Sequence, residues 1–505
     1  MNFYNKKYIN GIILAAAVAL VASGCKKILS PDIKGQIALE QLVQTEAGMI
    51  TVTNSMYSPL ISLYNGPMQR LSDLASDDGW TWRNELEPDL FIVTPSFLHS
   101  NTIWTNLYKG LSSVNIVLAR TDAVPDFSSE AVKNAIKGQA YFMRAFYYFN
   151  LVRLFGGVPL ITTEVQSRED AELPRASISD IYTKIKSDLD SAVLLLPANY
   201  TGGSGMEQGR PTSYAAHALK SIVCLELNEW DASVQATSGV IGHGGLLDQY
   251  ADNFNGKAEN GKGSLFEVQY AGSNPATSGT ISNFYAPTSY RGSALLLPTD
   301  DDLNGGGGGP SSGNSFVQAL EAGDLRKDAI LATYGLANFI DATKPAGSLY
   351  YVNKFYNAAE PVGRSSWNFP LIRYAEVLLV RAEALNEKQF VADGEAFDLL
   401  NEIRTKAGLN ALNSTDLPDQ STFRSAIMQE RRIELSFECK RFFDLNRWGL
   451  LQTNIQPQLD YLGLNFPSAR AISHPVTGKP YFLYPIPGTE FINNAKLGEQ
   501  NPGYD

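Results

Sequence analysis

Glu430-Arg-Arg-Ile-Glu-Leu-Ser-Phe-Glu-Cys-Lys-Arg-Phe-Phe-Asp-Leu-Asn-Arg-Trp-Gly449 is the stretch from which the fold is read. Four Arg, three Glu, one Asp, three Phe and one Trp share twenty residues. Ile433, Phe437 and Lys440 fall at helical spacing, and Arg431, Glu434, Leu435 and Glu438 form a charged flank. The pattern predicts an amphipathic helix whose ionic groups are partly buried and paired through i,i+3 and i,i+4 contacts. A buried charge left unpaired costs several kcal/mol, roughly. The run holds no His, and Arg is too basic to act as a base. Arg431, Arg432, Glu434 and Glu438 are therefore assigned to the fold.

Moving outward, four further blocks keep the same style. They are Tyr141-Phe-Met-Arg-Ala-Phe-Tyr-Tyr-Phe-Asn-Leu-Val-Arg-Leu-Phe-Gly-Gly-Val-Pro-Leu160, Arg373-Tyr-Ala-Glu-Val-Leu-Leu-Val-Arg-Ala-Glu-Ala384, Leu400-Asn-Glu-Ile-Arg-Thr-Lys-Ala-Gly-Leu409, and Tyr484-Pro-Ile-Pro487 with Gln500-Asn-Pro-Gly-Tyr504. In this order the five blocks resemble the signatures of the SusD/RagB family, outer-membrane nutrient-binding lipoproteins of Bacteroidetes. The resemblance implies a right-handed scaffold of helical pairs with a loop-rich part packed on it. It also implies binding without catalysis.

The chain starts with Lys6 and Lys7, then an apolar stretch from Ile12 to Ala22, then Ser23-Gly24-Cys25. These are the parts of an export signal, with an apolar core too short to span a bilayer. Cys25 after Ser-Gly fits a lipoprotein signal, with residues 1–24 removed and Cys25 acylated. Two or more acyl chains anchor stably where one does not. Ala22 sits where Leu is commonest. Lys26 and Lys27 follow the Cys, where many family members carry acidic residues.

The formal charge of −11 becomes two units more negative when Lys6 and Lys7 leave with the signal. An acidic chain lacks the clustered Lys and Arg that phosphate backbones require, so no nucleic acid is expected. Cys224 and Cys439, both in apolar helical patterns, read as buried free thiols.

Apolar spacing of three and four predicts helices over 36–62, 101–120, 130–155, 178–195 and 213–241, and again over 370–389, 393–407 and 421–438. Ser177 to Asp180 offer caps for the fourth, and Pro197 stops it. The hairpin around 213–241 has the length of a tetratricopeptide unit. Between the helical blocks, 242–369 is rich in Gly, Ser, Asn and Tyr, with one alternating strand at 264–270. The expectation is an all-α dominated, tetratricopeptide-like scaffold, mainly 36–241 and 370–440. A loop-rich insert at about 242–369 completes a single domain over 25–505.

Of the four histidines, none has metal-ligand spacing, and His217 reads as packed in its alanine-rich helix. Gly256 to Lys262 nearly copies a phosphate loop, but Gly263 replaces the required Ser or Thr. Asp300-x-Asp302-x-Asn304-Gly305 copies half a calcium loop, with Ser311 where the bidentate Glu belongs. No cofactor and no metal are expected, with a weak, adventitious Ca²⁺ site at Asp300, Asp302 and Asn304 as the alternative. Asp73, Asp77 and Asp78 imitate a glycosidase acid pair only in composition.

Sugars present apolar faces ringed by hydroxyls, so they call for flat aromatic platforms beside carboxylate, amide and guanidinium groups. Asp73-Leu-Ala-Ser-Asp-Asp-Gly-Trp-Thr-Trp-Arg-Asn84 offers Trp80 and Trp82 beside Asp77, Asp78 and Asn84. Several family members place a Trp-x-Trp platform here. Asn283 to Gly292 adds Tyr285, Tyr290 and Arg291, from a part where members often contribute a Tyr. Tyr350, Tyr351, Tyr356 and Trp367 form a weaker third set. The function the resemblance implies is capture of an oligosaccharide at the outer membrane, without chemistry, and its delivery to a TonB-dependent transporter. The rivals are a peptide-binding member of the family and a helical scaffold that binds no ligand.

Overall fold

The computed structural model describes residues 39–81, 86–200, 207–272, 274–286, 297–298, 315–334, 349–356 and 364–504. Leu39–Leu42 form one helical turn in a unit of their own. Val43–Asp505 form the second, compact unit.

The second unit begins with α1 (Glu46–Ser55), α2 (Ser58–Tyr64), α3 (Pro67–Ser72), α4 (Leu98–Arg120), α5 (Glu130–Phe155), α6 (Ile178–Leu195), α7 (Ser213–Glu226) and α8 (Trp230–Thr237). It resumes with α9 (Tyr374–Lys388), α10 (Glu395–Lys406), α11 (Gln420–Glu434), α12 (Arg441–Trp448) and α13 (Leu451–Tyr461). Thr45, Ser129, Ser177, Thr212 and Asp419 cap their helices by accepting from the N–H three residues on. Each such cap contributes about 1 kcal/mol. Leu196 leaves α6 in extended conformation, as the residue before Pro197 must.

Successive helices pack on one another from α4 to α8. The series then continues across the gap in sequence: α9 packs on α7 and α8, and α10 and α11 pack on α9. Leu225, Val380 and Ala384 form the buried joint, flanked by Ile222, Trp230 and Val234. Burying one such large apolar side chain contributes roughly 1.5–3 kcal/mol. At the α4–α5 crossing, a Cβ on Gly110 would lie 2.2 Å from the Tyr147 ring, so only Gly permits this approach.

Strands are few and short. Among the described residues they form four antiparallel ladders: β1 (Gly79–Trp80) with β3 (Leu297–Pro298), β2 (Ser264–Val268) with β6 (Phe369–Arg373), β4 (Leu331–Tyr334) with β5 (Leu349–Val352), and β7 (Ala471–Ser473) with β8 (Pro480–Phe482). β6 corrects the helix expected from residue 370. All five of its residues are buried, and β2 supplies its backbone partners.

The opening run is also corrected. It is not one helix. α11 stops at Glu434, Phe437 and Cys439 each take φ of 59°, and α12 starts at Arg441. Its charges are buried and paired as expected, but largely with distant segments instead of helical neighbours.

Candidate functional site

The corner at 434–441 is held by side chains from several elements. The last carbonyls of α11 have no partner within the helix. Arg373 donates to Glu434 O at 2.7 Å, and Tyr250 Oη donates to the same oxygen at 2.8 Å. Lys354 Nζ donates to Ser436 O at 2.8 Å, and Tyr285 Oη to Phe437 O at 3.2 Å. Cations are favourable at this end of a helix, where the dipole is negative.

The same cations neutralise the carboxylates of the run. Glu434 accepts from Arg373 at 2.7 Å and from Arg326 at 3.1 Å. Glu438 accepts from Arg373 at 2.7 and 2.8 Å and from Lys354 at 2.6 Å. Burial pushes Glu438 up, but Arg373 and Lys354 outweigh it and hold the carboxyl below its ordinary value. Burial brings Lys354 down to about 8 in spite of Glu438.

This corner clamps the segment that leads into the expected platform. Arg441 forks onto Asp77 at 2.7 and 2.8 Å, and Arg432 donates to Asp78 at 2.6 Å. Asp73 accepts from Cys439 N and from Tyr285 Oη, both at 2.9 Å. Burial opposes ionisation of Asp77, yet Arg441 and Arg432 hold it at about 2. Burial wins at Asp73, raised to about 7, and also raises Asp78.

These contacts correct half of the expected site. Asp77, Asp78 and Tyr285 are each 1% exposed and Trp80 is 7% exposed, so none offers a face to a sugar. Asp77 and Asp78 belong to buried ion pairs, which also removes them as a hydrolytic acid pair. Tyr285 stacks on Phe355, with centroids 5.5 Å apart, and its hydroxyl is engaged. Trp80 pairs with Leu297 in the β1–β3 ladder. Trp82, Asn84, Tyr290 and Arg291 lie outside the described residues, as do Cys25 and the Asp300, Asp302 and Asn304 loop.

The roots of those segments are described. Thr81 N donates to Asp89 Oδ2 at 3.2 Å, and Gln458 Nε2 donates to Asp89 Oδ1 at 2.8 Å. The chain is thus tied together on either side of 82–85. Burial, opposed by these two hydrogen bonds, raises Asp89 to about 7. The stretch 287–296 follows the helical turn Ile281–Tyr285 and ends at Leu297, the partner of Trp80. Asp89, Gln458, Arg326, Lys354 and Arg373 were not singled out as partners from sequence. For Lys354 and Arg373 the signal was a charge within an apolar or aromatic string, as in Phe369-Pro-Leu-Ile-Arg373. Chemically, this arrangement holds segments in place.

The SusD family model matches residues 337–504, and a second, described as "Starch-binding associating with outer membrane", matches residues 32–225. SusD-like protein P2 of Formosa agariphila is 27% identical, over 96% of this chain and 98% of that protein. Starch-binding protein SusD of Bacteroides thetaiotaomicron is 22% identical, over 84% of this chain and 83% of its own length. A SusD superfamily structure from Bacteroides vulgatus superposes with a TM-score of 0.73 at 23% identity, covering 91% of this chain and 99% of that one. A laminarin binding SusD-like protein gives 0.71 at 22%, covering 91% and 100%. The structures share the helical fold, and the two family models take in both the N-terminal and the C-terminal signature blocks. The chain belongs to the SusD/RagB family.

Proposed function

We propose that this chain is a lipid-anchored glycan-binding protein of the outer membrane, facing the cell surface. It captures oligosaccharide without chemistry and hands it to a TonB-dependent transporter. Cys25 carries the anchor, and Trp82, Asn84, Tyr290 and Arg291 contact the sugar. The relative named for starch and the structure named for laminarin support the ligand class. The observation that carries the reading is the common root of the two ligand-contact stretches. Residues 82–85 follow Thr81, 287–296 end at Leu297, and Trp80 pairs with Leu297 in a ladder whose N-terminal strand follows the clamped Asp77 and Asp78. Fixing the ends of a binding stretch lowers the entropy cost of ordering it on a ligand.

Calorimetry against a panel of oligosaccharides tests this. Trp82→Ala and Tyr290→Ala should each weaken the cognate sugar by about tenfold, since a lost aromatic platform is worth about 0.5–1.5 kcal/mol beyond its buried area. Trp80→Ala should instead lower stability, by roughly 3–5 kcal/mol for a core Trp. Unchanged sugar affinity in Trp82→Ala, Tyr290→Ala and Arg291→Ala would remove the site from these stretches. Tight binding of peptides and of no sugar would favour the peptide-binding alternative.

A further inference from the structure

A cleft of about 430 Å³ opens beside the first turn of α7 and shares no lining residue with the β1–β3 ladder. Tyr214 and His243 lie ring on ring in its wall, centroids 4.6 Å apart and planes 14° from parallel. The Tyr214 hydroxyl is 3.2 Å from His243 Nδ1. His243 is exposed. Its plane is set by the stack, so an aromatic face is presented at little conformational cost.

Several polar groups of the cleft, and one of its charges, are also held in place. Gln208 Nε2 donates to Asn260 O at 2.8 Å, and the Asn260 and Gln269 side chains exchange two hydrogen bonds at 2.9 Å. Arg210 is positioned by neutral acceptors, Gln139 Oε1 at 3.0 Å and Asn54 Oδ1 at 2.8 Å. Its carboxylate contact is Glu207 at 3.3 Å, a side chain 63% exposed. Lys262 is exposed, and Asp248 nearby is engaged by Lys406 at 2.6 Å.

The charge balance decides the ligand class. The chain has 52 acidic residues against 41 Lys and Arg. Among the described residues, the cleft lining carries the cations Arg210 and Lys262 and no Asp or Glu. Glu207 and Glu267 line an adjoining groove of about 310 Å³ that shares Gln208, Gly209 and Arg210. A cationic concavity on an acidic protein concentrates anions locally. Guanidinium and ammonium donors bind carboxylate and sulfate oxygens through charge-assisted hydrogen bonds.

We propose that this cleft, formed by Tyr200, Arg210, Tyr214, His243, Asn260 and Lys262, is a second saccharide site that selects sugar units bearing a carboxylate or a sulfate ester. The proposal rests on the saccharide-binding reading above for its ligand class, and its test reads a different residue. The full chain, purified in detergent and ¹³C-labelled at its histidine rings, is titrated with trigalacturonate, with a sulfated galactose trisaccharide and with maltotriose. The chain holds four histidines, so His243→Gln assigns the relevant signal. At least one anionic probe should shift the His243 signal saturably, and maltotriose at equal concentration should not. Which anion acts separates uronate from sulfate. Lys262→Ala should weaken that titration by about three- to fivefold, the scale of an exposed ion pair. A still His243 signal with both anions, an equal response to maltotriose, or full affinity in Lys262→Ala overturns the proposal. If calorimetry still shows a sugar lost in Trp82→Ala, only this second site fails; if no sugar binds anywhere, both readings fail.

Discussion

Glu434 shows how one residue couples distant chain segments. Its carboxylate joins Arg373, 61 residues back, to Arg326, 108 residues back, while its carbonyl takes a second donor from Arg373. Truncating one partner of a buried pair leaves the others charged and uncompensated, which costs roughly 3–5 kcal/mol. Glu434→Ala should therefore lower the thermal midpoint, with oligosaccharide affinity of the folded protein unchanged. A variant of full stability that binds nothing would move this corner into the ligand site. Sequence showed that these charges must be paired, because so many lie among aromatics. It did not show with whom, because helical spacing suggests neighbours and the real partners come from β6 and from the middle of the chain. The same gap explains Asp77, Asp78 and Tyr285. Their residue types suit a sugar site, and nothing local reveals that Arg441, Arg432 and Asp73 already occupy them.

At the scale of elements, helices with strong caps were legible. α6 runs from the Ser177 cap to the break before Pro197, because both boundaries are written in short-range chemistry. The end of α11 was not, because its stop is made by Arg373, Lys354 and Tyr250 instead of a local Gly or Pro. β1 illustrates a further kind of element, too short to stand alone and held by Asp89 through Thr81. Burial raises Asp89 to about 7, whereas an unfolded aspartate titrates near 4, roughly. Between those values the folded chain keeps a proton that the unfolded chain has shed. The Asp89 contribution to stability is thus full below about pH 4, declines as pH rises towards 7, and stays level above. Asp89→Asn removes this share of the slope. Gln458 Oε1 lacks a hydrogen-bond partner among the described residues and, after an amide flip, can accept from the new amide. The variant should be more stable than the parent at pH 8 by about 1–4 kcal/mol, with the difference closing by pH 4. Thermal unfolding at both values checks this; lower stability at pH 8 with an unchanged slope would mean that the clamp needs a charged carboxylate.

Across the whole molecule, the signature blocks meet. Tyr484 N donates to Leu154 O at 2.8 Å, and its hydroxyl donates to Leu71 O at 3.0 Å. Asn501 donates to Phe155 O at 2.9 Å, and the Arg153 guanidinium lies 4.0 Å from the Phe149 ring centroid and 3.9 Å from that of Phe443. The C-terminal tail thereby closes onto α5, the helix of the first block. Fold was readable because these blocks build the interior; ligand was not, because the expected contacts sit on stretches outside them. Attachment to the membrane is separable from both. Val43–Asp505 is a compact unit of its own, and Cys25 precedes it. Cys25→Ala should abolish acylation, detectable by mass, and move the protein from the membrane fraction to the soluble one. Two acyl chains hold a protein stably and none gives no such hold. Thermal stability and oligosaccharide affinity should be those of the parent, since the packed unit is untouched. Persistence in the membrane fraction after a high-salt wash would overturn the lipid anchor and leave the binding site standing.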